Sequence, residues 1–415
     1  MRETLAGPRP GPWLSLSLLR DRAALSPAVP ALMLAALALR LVLLPLDDGN
    51  DFRAFATLAR ATLHGQDVYG MSYSYLRTHL HSLSWTYFPL CLHIFTALSY
   101  LAQQTGWSFY LLGKLPMVAA DLAIGWLLFA ALRRRGHSER VALLGLCLYL
   151  FNPLVLYNGA FYGRFDTIAL AFLLLAMEYY DTRLFAPAYA LAIAAKTFPI
   201  FLLPLLALGR DRQRPRRLAL AGLLVLLLSL PYIVTDPQGL FSRVVANNVH
   251  PIVYLQLGRI SWYALLYANH WMTMNQIMLL ARFTSVLYAA ALLAFLRKPL
   301  YIKAVACFML FVLLNRTVYE QYLLWPLPFL IVVGLHGRSR AALAMLALYT
   351  IAGVLENENT WPTQYHIHYH LVPTPWFPLS IALALTTALY LGYLWFKGGP
   401  DAWGAAGGVT RSEQA

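Results

Sequence analysis

Charge is scarce in this sequence. Asp, Glu, Lys and Arg together make up 12% of the 415 residues, about half the roughly 25% of an ordinary soluble domain. So few charges cannot cover a water-facing surface, and a soluble globular protein is excluded. Cysteine is also rare. Cys91, Cys147 and Cys307 are the only three, odd in number and scattered in or near apolar runs, which excludes a disulfide framework and any paired metal-ligand spacing. Acids are outnumbered, 18 against 32 Lys and Arg, for a formal net charge of +14. That excess does not indicate nucleic acid, because the basic residues cluster in short connections between apolar runs: "RRRGHSER" (133–140), "GRDRQRPRR" (209–217), "RKPLYIK" (297–303) and "HGRSR" (336–340). Short basic connections of this kind mark the cytoplasmic side of a membrane protein.

What the chain has in abundance is hydrocarbon. Hydrophobic residues reach 60% and the mean hydropathy is +0.57. Apolar runs of about 20 residues, the length that crosses a hydrocarbon core of about 30 Å, recur along its length. The sequence predicts an all-α, polytopic membrane protein. A cytoplasmic N-terminus (1–28) carries Arg2, Arg9, Arg20 and Arg22. The apolar run at 29–46 then lacks a small-residue cleavage site and reads as an uncleaved first helix. A multi-spanning domain covers 29–396, and a cytoplasmic tail at 397–415 has the composition of a disordered segment.

Alternating the basic connections on one side gives about twelve crossings, with both termini inside. The large first outer loop spans 47–107, and within it 86–104, which contains His93, Thr96 and Gln103, reads as an embedded or interfacial segment. The run at 108–132 is a crossing, and helices follow at 140–158 and 165–181. The stretch "RLFAPAYALAIAAKTFPIFLLPLLALGR" has basic residues at both ends, so it must enter and leave on the same side, turning within the membrane near Lys196 and Pro199. Irregular backbone at that depth persists only where it faces protein or a wet cavity, so the turn itself points to a site. Further crossings are expected near 217–234, 276–296, 300–314, 321–335, 341–355 and 376–396. In this threading only His137 and His336 of the 11 histidines face the cytoplasm. The outer face collects the others, together with Tyr, Trp, Asn and acids.

Charges inside spans cost roughly 2.5–3.5 kcal/mol each and mark partners or cavities. Lys196 admits two readings, a cap on the carbonyls of a broken helix and a ligand for phosphate. Asp121, in "MVAADLAIGW", reads as a buried tether between helices. Arg40 is expected to snorkel to the interface, and Arg282 to pair with a neighbouring helix. Three outer turns carry polar groups: "NGAFYGRFD" (158–166) with Arg164 and Asp166, "VANNVHP" (245–251) with Asn248 and His250, and "NRTVYEQY" (315–322) with Arg316 and Glu320. The alternating His366, His368 and His370 lack acids at ligand spacing, so no metal site is assigned.

The most telling stretch is "LVLLPLDDGNDF", where hydrocarbon gives way within five positions to Asp47, Asp48 and Asp51. A solvated loop start is one reading and a catalytic base at the membrane face is the other. The order of motifs favours the second. "NDFRAFATLARATLHGQDVYG", "WTYFPLCLHIF" with Tyr87, "FNPLVLYNGAFYGRFDTIAL", "AAKTFPIFLLP", "SRVVANNVHP" and "VYEQYLLWPLPF" together resemble the membrane glycosyltransferases of the GT-C class, over about 40–340. Tyr319 stands where those enzymes usually have a His. Among bacterial relatives the likeness is to polyprenol-phosphate-mannose-dependent mannosyltransferases.

The resemblance implies a hexosyltransferase, with mannose favoured, that takes its sugar from a polyprenyl-phosphate donor to a lipid or glycan acceptor. The active site would face the outer or periplasmic side of the cell membrane. It implies Asp51 as the base, with Asp48 beside it in the acidic cluster. Lys196, Arg164 and Arg316 are implied as phosphate ligands, and Asp166, Glu320, His250, Asn248 and Tyr87 as shaping the sugar and donor site. Chemistry agrees with a single base, since a phosphate leaves well without protonation and one carboxylate suffices to deprotonate the acceptor hydroxyl. No cofactor is expected, and a divalent metal is an alternative that is not favoured, since cationic side chains are available to do its work. Two other classes share the helix count or the donor logic, namely a secondary transporter and a polymerase or ligase using a pyrophosphate-linked glycan. The first should show internal repeats and the second a late, Arg-rich outer loop, and the sequence has neither.

Overall fold

A computed structural model describes residues 26–46, 50–70, 85–208, 214–246, 261–360 and 377–397. Among these residues every regular element is helical. In chain order they are α1 (Ala28–Leu43), α2 (Asn50–Leu63), α3 (Leu90–Thr105), α4 (Phe109–Arg134), α5 (Glu139–Leu150), α6 (Pro153–Leu156), a π-helical turn (Tyr157–Phe161) and α7 (Asp166–Glu178). Next come α8 (Phe185–Ala195), a 3₁₀ turn (Phe198–Leu202), α9 (Leu203–Ala207), α10 (Arg214–Thr235), α11 (Pro237–Phe241) and a second π-helical turn (Ser242–Ala246). The remainder are α12 (Trp262–Ala268), α13 (Met274–Ala294), α14 (Leu300–Leu314), α15 (Glu320–Leu324), α16 (Leu327–His336), α17 (Arg340–Thr360) and α18 (Phe377–Lys397).

Four described helices, 109–134, 215–235, 274–294 and 380–397, are long and apolar enough to cross a bilayer. A fifth span results if α5 and the helix after it, bent by 46° at Asn152, count as one. The bend has a local cause. Pro153 ends the hydrogen-bond ladder of α5, and Asn152 Oδ1 restarts it by accepting from Leu154 N at 2.9 Å. The shorter apolar helices are α1, α8, the 3₁₀ turn with α9 (198–207), α14 and the first part of α17. With so much hydrocarbon on every side of these helices, helix-on-helix packing is the only layer architecture available.

The segment 185–207 has the expected interruption. Helix α8 stops at Ala195, and Lys196 lies in extended backbone at φ −154°, ψ 147°. Pro199 then opens a 3₁₀ turn whose backbone carbonyl accepts from Tyr189 Oη at 2.9 Å. Phe198 plugs the turn into the core by stacking on Trp325 with centroids 4.3 Å apart. At the opposite, basic end of the bundle, buried Glu178 accepts from Arg134, from Tyr301 and from Arg135 Nη2 at 2.8 Å, tying α4, α7 and α14 together.

Candidate active site

The polar centre of the fold is built at two helix ends. Helices α7 and α8 run antiparallel as a hairpin, so the N-terminus of α7 lies beside the C-terminus of α8. Asp166 is the first residue of α7 and Lys196 caps α8. Each charge therefore complements its own helix dipole, and each meets the other: Lys196 Nζ is 2.5 Å from Asp166 Oδ2. Both side chains are buried. Trp325 Nε1 donates to Asp166 Oδ1 at 2.8 Å, so both carboxylate oxygens are engaged. The ammonium also lies over two ring faces, Phe165 at 4.8 Å and Tyr87 at 5.2 Å. Such cation–π contacts strengthen when the cation is desolvated.

The rings are fixed in turn. Phe165 stacks on Trp85, with centroids 5.7 Å apart. Tyr87 meets Phe165 edge-on at 5.2 Å, and its backbone carbonyl accepts from Tyr69 Oη at 2.8 Å.

A second pair flanks the first. Arg164, two residues before Asp166, reaches the carboxylate of buried Glu320 at the start of α15 and lies 4.8 Å from the Tyr162 ring. The backbone that delivers it is unusual: Arg164 N bonds Asn158 O at 2.8 Å across the π-helical turn, and Gly163 takes φ +74°. A left-handed residue is needed there, and there is no room for a side chain. A Cβ on Gly163 would come within 2.8 Å of the Phe52 ring.

Of the residues singled out from sequence, the structure thus brings Lys196, Asp166, Tyr87, Arg164 and Glu320 into one neighbourhood. Arg316 is buried on the segment between α14 and α15, where it reaches the thioether of Met278. Asp51 opens α2 in the second position, but its side chain, like Asp48, Asn248 and His250, lies outside the described residues, as do His366, His368 and His370. Arg40 does not snorkel. It is wholly buried, and its Nε lies 3.0 Å from Asp121 Oδ2, so the arginine and the expected tether are one ion pair between α1 and α4. The reason is the low cost of pairing against the high cost of an unpaired charge in hydrocarbon. Arg282 is exposed on α13.

Two buried polar residues, Trp325 of the centre and Lys114 outside it, were not singled out from the sequence. Trp325 lies in the quoted "VYEQYLLWPLPF" but carries no charge to draw notice. Lys114 stands in an apolar helix and would have been found by the same screen for charge within spans that drew out Lys196.

No family model matches the chain. It is 29% identical over 167 residues to GPI mannosyltransferase 1 of Gibberella zeae. That is a distant likeness to a mannosyltransferase. The matched stretch is 40% of this chain and 35% of the relative, so the chain spans about a third of the length of the relative it matches. The likeness stands beside a helical fold with, among the described residues, four or five helices fit to span a membrane.

Proposed function

We propose that this protein is a membrane mannosyltransferase. It transfers a hexose, mannose by preference, from a polyprenyl-phosphate donor to a lipid or glycan acceptor at the outer face of a cell membrane, with about twelve crossings threading the chain. One observation carries the reading: a buried Lys–Asp pair at the break between α8 and the 3₁₀ turn, in a chain with a distant likeness to a mannosyltransferase.

The proposed chemistry is a single displacement. Asp51 accepts the proton of the acceptor hydroxyl as that oxygen attacks the anomeric carbon, with Asp48 adding to the negative field. The bond to the lipid phosphate breaks in the same displacement, so the anomeric centre inverts and the phosphate takes the electron pair. Lys196 gives one N–H to Asp166, and its other donors turn to a phosphate oxygen as charge builds there. Arg164 acts likewise from its pair with Glu320. Both pairs are neutral overall, so the donor is held without a standing excess of buried positive charge. Arg316 extends the cationic side of the site. Tyr87 with His250 and Asn248 contacts the sugar, since ring faces and amide groups suit hydroxyl-rich ligands.

The test is transfer of labelled sugar from short-chain polyprenyl-phosphate mannose and glucose, using membranes that contain wild type or Asp51→Asn. Transfer by wild type, lowered by about 10²–10⁴-fold in the variant, is the expected outcome for loss of a general base. Full turnover by Asp51→Asn removes the base assignment. No transfer from either donor, with intact protein and a mixed acceptor pool, removes the function.

A further inference from the structure

Lys114 lies on α4 about one and a half turns below its outer end, in the stretch "FYLLGKLPMV". Its side chain is wholly buried, and Nζ donates to two backbone carbonyls, Leu44 O at 2.9 Å and Phe161 O at 2.6 Å. Both carbonyls lie at helix ends. Leu44 caps α1, and Phe161 is the last residue of the π-helical turn. Helix C-termini leave carbonyls without partners and carry the negative end of the dipole, so a single ammonium satisfies two such ends at once.

What those ends lead to gives the contact its interest. Leu44 precedes the acidic cluster at 47–51, and Phe161 precedes Arg164 by three residues. The same seam is locked a second time by aromatic packing. Phe52, next to Asp51, is buried with its ring stacked on Phe109 at 5.6 Å. That ring fills a notch between two glycines. A Cβ on Gly113 would come within 2.6 Å of it, and one on Gly163 within 2.8 Å of the ring and 3.3 Å of Lys114 Cε. Two turns further along α4, on the same face, Asp121 pairs with Arg40 and lies against Gly159 of the π-helical turn, where a Cβ would meet Oδ2 at 2.6 Å.

We propose that Lys114 is a positioning residue. Its ammonium pins the end of α1 to the π-helical turn and so sets the register between α1, with the α2 that follows it, and the centre formed by Arg164, Asp166 and Lys196. Arg40–Asp121 holds the same seam deeper in the bundle. The inference rests on the glycosyltransferase reading for its catalytic consequence but not for the clamp itself. Base and phosphate ligands come from segments far apart in sequence, and a displacement step tolerates little misplacement between them. Losing the clamp should therefore slow the chemical step more than it weakens donor binding.

Two measurements test this. In transfer from polyprenyl-phosphate mannose, Lys114→Met should lower kcat at least tenfold while KM for the donor changes less than threefold. Lys114→Gln, which keeps N–H donors for both carbonyls, should recover part of kcat. In parallel, the distance between spin labels at exposed Leu46 and Ile200 should be single and narrow in wild type, and broadened in Lys114→Met. Wild-type kcat in Lys114→Met overturns the proposal, as does a rise in KM at constant kcat, which would make Lys114 a direct donor ligand. If Lys114→Met does not accumulate, Lys114→Gln carries both readouts against wild type. If wild type transfers nothing, the function fails separately, and the label distances still decide the clamp: broadening supports it and an unchanged distribution overturns it.

Discussion

Trp325 Nε1 and Lys196 Nζ approach the two oxygens of one carboxylate, Asp166, from different parts of the chain, at 2.8 and 2.5 Å. The indole holds the acid in place, and the acid holds the ammonium at the end of α8. Phe198 stacked on Trp325 closes the circuit back to the 3₁₀ turn after Lys196. A buried charge pair arranged in this way makes its members interdependent, and the first prediction follows from that.

Removing one partner leaves the other charged and desolvated, which costs about 3–5 kcal/mol. Lys196→Met and Asp166→Asn should each lower the thermal midpoint of the detergent-solubilised protein sharply. The double variant should lose less than the sum of the two. Additive losses in a double-mutant cycle would show that the two groups are not coupled.

Gly163 sits at φ +74° with the Phe52 ring against it. A side chain there meets both a left-handed backbone, costing roughly 1–2 kcal/mol, and a clash with a packed ring. Gly163→Ala should therefore destabilise the protein by more than about 1 kcal/mol. Gly65 has a similar φ of +74° but open space around the missing Cβ, so Gly65→Ala should cost less. Equal midpoints for the two variants would argue against the notch.

At the basic end of the bundle, His336 Nδ1 lies 2.9 Å from His137 Nε2. Burial, with Arg135 and His137 beside it, holds the His336 imidazole down at about 4 from an ordinary 6.5. The folded protein thus favours the neutral ring, whereas the unfolded chain takes up a proton once pH drops below about 6.5. Stability should therefore be undiminished by this group above that pH and should fall as pH goes from 6.5 towards 4. Thermal midpoints across that window should decline for wild type and less steeply for His336→Asn. Parallel profiles would exclude the pair as the source.

Composition, charge placement and apolar run length are enough to read an all-helical chain with membrane-spanning helices, because each helix is specified by local hydrocarbon length and by the loops that bound it. The helix at 300–314 and the interruption at Lys196 follow directly from the sequence, and 109–134 differs from the expected 108–132 only at its ends. The expected helix over 140–158, by contrast, is broken at Asn152–Pro153, because proline removes a backbone donor and interrupts the ladder. The shortlist of Lys196, Arg164, Asp166 and Glu320 also follows from the sequence, since charges and turn residues stand out against so apolar a background. Pairing is a different matter. That Arg40 meets Asp121, 81 positions away, that Trp325 serves Asp166, or that Lys114 joins Leu44 to Phe161 depends on which helix faces which and at what rotation. Helix packing sets those contacts through the shapes of side chains on several segments at once, at Gly113, Gly159 and Gly163 above all. No local pattern encodes that sum, so the sequence supplied the charges and only the packed bundle decided their partners.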